Sequence, residues 1–137
     1  MKVYLDENTS PHLCHGLQEL QKSLNADLKE PIEVISIKEK FGTSAKDEDW
    51  IPLVGEDRAM VITHDFNLMR TRHQRELCAQ YGVGLVIIRP PSKKKGLAYW
   101  EQVQLLIKYW LDIVRVASRK SGHYHYELKP TSGLREM

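Results

Sequence analysis

Four short apolar runs constrain this chain most: Val3–Leu5, Ile32–Ile37, Ala59–Thr63 and Val83–Arg89. Each has the length of a strand, and the stretches between them follow helical spacing. Ser10-Pro11 reads as a helix start, a hydroxyl cap followed by proline at the first helical position, and Leu13, Leu17, Leu20 and Leu24 then mark an inward face. Phe41–Ser44 reads as a turn. Asp47–Val54 predicts a short helix with Trp50, Ile51 and Val54 facing in; Pro52 asks for a start near Asp49 or a kink, because proline fits only a first turn. Leu68–Tyr81 predicts a helix stopped by Gly82. Leu97 to about Ser118 predicts the longest helix, with Trp100, Val103, Ile107, Trp110 and Val114 on one face. The tail His123–Lys129 alternates like an edge strand, and Thr131–Met137 is expected to be poorly ordered. Strands alternating with helices predict an α/β domain, a parallel sheet covered on both faces and joined by right-handed crossovers.

The 137 residues fit one domain, with a core at 1–91 and a C-terminal helix and tail strand at 92–137. Twenty basic and 18 acidic side chains leave a formal charge of +2, so contact with nucleic acid would need a local cluster of charge. Cys14 and Cys78 form no pairing pattern and are expected as free thiols in a reducing compartment. MKVYLDEN enters a strand pattern directly, and no run is long enough to span a membrane. The expectation is a cytoplasmic protein with no membrane contact.

In open parallel sheets, ligands bind beyond the carboxyl ends of the strands. Asp6 follows the first strand, Asp65 the third, and Asp47 lies in the loop or helix start after the second. All three are therefore expected on one edge. Clustered carboxylates repel one another unless a counter-charge is present. Oxygen donors suit Mg²⁺ or Mn²⁺ better than Zn²⁺, and such an ion activates water against a phosphodiester. Each acid also has an ordinary structural use. Asp6 and Asp65 are turn formers, and Asp47, Glu48 and Asp49 suit the positive end of a helix. Their joint placement is what points to a site.

The segments LDENTSP (5–11), KDEDWI (46–51) and VITHDFNL (61–68) resemble the PIN-like nucleases, and among them VapC-type toxin ribonucleases and their small relatives. The resemblance covers about residues 1–91. It implies a three-layer α/β/α fold with a mainly parallel sheet of four or five strands. It further implies a Mg²⁺- or Mn²⁺-dependent endoribonuclease leaving a 5′-phosphate, a cytoplasmic toxin restrained by a cognate antitoxin. Asp6, Asp47 and Asp65 would be catalytic metal ligands, and Thr63 would hydrogen-bond within the cluster and orient Asp65 or a metal-bound water. Glu7 and Asn8 would flank the first site. Many relatives carry a further acid where this chain has Asn67, which bears on a second metal. Asp47 is favoured over Glu48 and Asp49 because Trp50 and Ile51 must face the core.

Arg70, Arg72 and Arg75 follow Asp65 and are candidate phosphate contacts, with a solvated helix face as the alternative. Lys93–Lys95 would extend an RNA path or serve as a surface linker. Trp100 and Trp110 are expected in the core or in a homodimer contact. His12 with His15, and His123 with His125, lack a third ligand and are assigned to surface or packing. Two other functions compete with the nuclease. A receiver-type signalling domain also places acids after its first and third strands, but needs a lysine after a fifth parallel strand. A degenerate PIN-like domain would bind RNA or protein without cutting.

Overall fold

The computed structural model describes residues 1–65, 67–92 and 96–137, so the expectation for Lys93–Lys95 lies outside the described residues. In chain order the elements are β1 (Lys2–Leu5), α1 (Pro11–Leu24), β2 (Glu33–Ser36), α2 (Ile37–Phe41), α3 (Asp47–Val54), β3 (Ala59–His64), α4 (Leu68–Tyr81), β4 (Gly84–Ile88), α5 (Tyr99–Arg119), β5 (His125–Lys129) and β6 (Gly133–Glu136). The strands make one sheet in the order β2-β1-β3-β4-β5-β6. All neighbours run parallel except the closing β5–β6 pair, which is antiparallel.

Alternation along the strands divides the interior into two cores. Val3, Leu5, Met60, Ile62, Val86, Ile88 and Leu128 meet α1 and α5 on one face. Tyr4, Val61, Leu85 and Ile87 meet α3 and α4 on the other. The result is the three-layer α/β/α arrangement, and β3 and β4 at its centre are buried along their whole length. Near-continuous apolar runs are the expected signature of such doubly covered strands.

Local signals set the helix ends. Ser10 Oγ accepts from the His12 amide at 3.2 Å, and Pro11 opens α1. Gly82 ends α4 in the left-handed region at φ 69°, where a side chain would be strained. Several expectations shift. Ile37 begins α2 instead of ending β2, because Ser36 caps a helix there through the Glu39 amide. The α3 helix starts at Asp47 with Pro52 inside it, not at Asp49. On α1, Leu20 is exposed and Gln21 is buried, because Gln21 accepts the Trp110 indole N–H at 2.8 Å. On α5, Val103, Trp110 and Val114 are buried, but Trp100 and Ile107 face outward.

The C-terminal segment departs most from expectation. β5 is an interior strand parallel to β4, and the residues expected to be disordered form β6, the true edge. Leu128 is fully buried in the α1/α5 core. That burial, which period-two alternation cannot distinguish from an edge position, draws the tail into the sheet.

Candidate functional site

The same alternation builds the site. On β1 and β3, Tyr4 and Val61 point toward α3 and α4. Two residues on, Asp6 and Thr63 therefore point the same way at the carboxyl ends of their strands. Asp65 continues the pattern past β3, and Arg89 does so past β4 behind Ile87. Glu127 on β5 is in register with Ile87, so it joins this face as well. Above the row, α3 contributes Asp47, and α4 contributes Arg70, Thr71 and Gln74.

Asp6 is almost fully buried. Its Oδ2 accepts from the Thr63 hydroxyl at 2.8 Å and the His64 amide at 2.9 Å. Its Oδ1 accepts from the Asn8 amide and the Thr9 hydroxyl, each at 3.1 Å. The His64 imidazole lies 3.5 Å away. Burial pushes the Asp6 carboxyl upward, but His64, through side chain, charge and backbone amide, together with Thr63, outweighs it and holds the group below its usual range. A carboxylate with so many donors stays ionised although water is excluded.

A polar relay joins Asp6 to Asp47. The Thr63 hydroxyl lies 3.1 Å from Gln74 Oε1, and Gln74 Nε2 donates to Asp47 Oδ1 at 3.4 Å. Asp47 is buried, while Glu48 and Asp49 are exposed. Arg70 sits between carboxylates, 3.5 Å from Asp47 and 3.3 Å from Glu7. Asp65 belongs to a second group: Thr71 donates to its Oδ1 at 3.0 Å, and the Arg89 guanidinium pairs with its Oδ2. Arg89 Nε donates to Glu127 Oε1 at 2.6 Å.

The structure thus brings Asp6, Asp47 and Asp65 to one edge, but joins Asp6 to Asp47 through Thr63 and Gln74 and sets Asp65 in a separate group with Thr71 and Arg89. Thr63 hydrogen-bonds within the cluster, to Asp6, and Thr71 makes the contact to Asp65. Asn67 caps α4, accepting from the Met69 amide at 2.9 Å and the Arg70 amide at 3.3 Å. Asn8 contributes its backbone amide and Glu7 its pair with Arg70. Glu48 lies 3.2 Å from His73 at the exposed rim. Of the three arginines, Arg70 turns inward to the acids and Arg72 pairs with Glu76 along its own helix. Arg75 acts electrostatically on His125 of β5. His15 pairs with Glu39, away from His12.

Sequence reasoning missed Thr71, Gln74, Arg89 and Glu127. The first two carried a readable signal, since Thr71, Gln74 and Cys78 recur at helical spacing and are all buried. Arg89 follows β4 as Asp65 follows β3. Glu127 was hidden by the misassignment of β5.

The donor set suits a hard divalent cation in kind. It is all oxygen and anionic, and the carboxylates of Asp6, Glu7, Asp47, Asp65 and Glu127 outnumber the guanidiniums of Arg70 and Arg89. Among the described residues, however, no three His, Cys, Asp or Glu side chains are grouped as a ready ligand shell. Asp65 and Asp47 face arginines where an ion would act.

The family model described as PIN like domain matches residues 1–90, which contain Asp6, Asp47 and Asp65. No curated protein and no solved structure matches the chain. PIN-like domains are a superfamily of nucleases, and the match is to them in general, not to the VapC type. The matched segment supplies β1 to β4 and the α3 and α4 helices above the site, and with most of its length so matched this chain belongs to the PIN-like domain family.

Proposed function

We propose that the protein is a Mg²⁺- or Mn²⁺-dependent endoribonuclease. The observation that carries this reading is the convergence of Asp6, Asp47 and Asp65 on the carboxyl edge of the sheet, with Asp6 and Asp47 joined through Thr63 and Gln74. Asp6, Asp47 and Asp65 would hold the ion. When bound, it supplies Lewis-acid polarisation of a phosphoryl oxygen and a water acidic enough to attack phosphorus. The protein's own part is positional. Thr63 and the His64 amide fix the buried Asp6, Gln74 aims Asp47, and Thr71 aims Asp65. Arg72 and Arg75 on α4 bind phosphates beside the edge without reading sequence.

Asp65→Asn and Asp47→Asn test the reading. Each is expected to remove Mn²⁺-dependent cleavage of single-stranded RNA, by about a hundredfold or more, with an unchanged far-UV circular dichroism spectrum. Wild-type cleavage rates in both variants would refute it. Asp6→Asn is a poorer probe, because the amide leaves buried donors facing an NH₂ group; it is expected to cost about 1–3 kcal/mol of stability as well. A growth-arresting toxin role restrained by an antitoxin rests on the same resemblance. Growth arrest on expression that disappears in the Asp65→Asn variant is its test.

One observation favours a second reading. β5 is a fifth parallel strand, and Lys129 ends it, the position a receiver-type phosphoacceptor requires. A stable acyl-phosphate on Asp65 after treatment with a small phosphodonor would support that function; the pairing of Asp65 with Arg89 instead of Lys129 weighs against it.

A further inference from the structure

Arg89 holds an unusual place for a residue beside a cation site. Its Nη1 pairs with Asp65 Oδ2, and its Nε donates to Glu127 Oε1 at 2.6 Å. Its backbone amide is anchored to the Leu128 carbonyl at 2.9 Å, so a movement of the guanidinium falls to the side chain and not to the strand. Glu127 is buried on an interior strand and lies beyond the segment shared with the family, so this contact is contributed by the C-terminal part of the chain. The two bonds use different nitrogens of one planar fork. The guanidinium can therefore leave Asp65 while Glu127 keeps hold of Nε.

We propose that Arg89 is a displaceable counter-cation: it neutralises Asp65 until a divalent ion arrives, then swings away and stays on Glu127. The inference rests on the nuclease reading of the site. A guanidinium and a divalent ion on the same carboxylate oxygen repel each other, so the two compete for Asp65. Glu127 lowers the cost of the exchange, because the released charge keeps a buried partner. Arg89 is thus a positioning residue whose cost is weaker ion binding and whose benefit is an acidic edge kept ordered without an ion.

The test is Mn²⁺ binding by titration calorimetry, which needs no turnover. The proteins compared are the wild type, Arg89→Gln, Asp65→Asn and the double variant, with Arg115→Gln on α5 as a control for loss of a positive charge outside the site. Arg89→Gln is expected to tighten Mn²⁺ binding on the order of tenfold, as for removal of a charge a few ångströms away. That gain disappears in the Asp65→Asn background, and Arg115→Gln stays within about twofold of wild type. An unchanged or weaker affinity in Arg89→Gln overturns the exchange, and so does a gain that persists without Asp65. Glu127→Gln gives a second arm if Arg89→Gln does not fold. Arg89 then rests on Asp65 alone, Mn²⁺ binds more weakly than in wild type, and unchanged or tighter binding overturns the proposal. If neither the wild type nor Arg89→Gln binds Mn²⁺, the metal reading itself falls and the exchange with it; binding that is present but insensitive to Arg89 sinks only the exchange.

Discussion

Asp6 and the two cysteines show opposite answers to burial. Asp6 keeps its charge because hydroxyls, amides and His64 converge on it. Cys14 and Cys78 have no such help, and burial pushes both thiols up to about 12, with Glu39 and Asp47 respectively adding to the rise. A thiol with so high a pKa is almost wholly protonated at neutral pH and reacts slowly. Native protein at pH 8 is therefore expected to leave both thiols untouched by Ellman's reagent over minutes, and protein in guanidinium to react fully at once. Rapid reaction of the native state would show that one of these sites opens. At this scale the sequence made Asp6, Asp47 and Asp65 legible, because strand ends place them. It hid how they are bridged. Thr63, Gln74 and Arg89 are polar residues among many, and their roles depend on side-chain reach across elements that no spacing along the chain encodes.

Among the elements, β4 is the most exacting. A Cβ built on Gly84 would fall 2.0 Å from the ring of Tyr124, the residue just before β5. Gly82, two residues earlier, has open space around a Cβ but a φ of 69°. The two glycines thus fail for different reasons. Gly82→Ala is expected to cost about 1 kcal/mol from backbone strain alone. Gly84→Ala must move a buried aromatic ring, and is expected to cost about 2–4 kcal/mol in denaturant unfolding. Equal costs would mean that Tyr124 relaxes freely. The boundaries of α4 were readable from Gly82 and the strands from their apolar runs. The edge was not. His123–Lys129 alternates, and alternation alone cannot say whether one further strand lies beyond it; the Gly133 turn that brings in β6 at φ 76° sits in a segment of little hydrophobic signal.

At the scale of the molecule, the family segment and the folding unit differ. Residues 1–90 match the family, yet the core on the α1 side is filled by Val103, Leu106, Trp110, Ile113 and Leu128 from beyond that boundary. A fragment ending at Pro91 would keep α1 but lose α5, uncovering part of the sheet face that carries Val3, Leu5, Ile62, Val86 and Ile88. It is expected to be insoluble or to lack near-UV circular dichroism, and a cooperative thermal transition in that fragment would contradict this. Arg58 strengthens the tie between the halves, giving hydrogen bonds to the carbonyls of Ala117, Ser118 and Lys120 at the end of α5. The division of apolar residues between two cores has a practical result. The chain has three tryptophans, and each occupies a different compartment: Trp50 on the inner face of α3, Trp110 beside α1, and Trp100 in solvent. Iodide quenching would silence the third and leave two interior fluorophores, so the loosening of either helical layer carries its own optical signature.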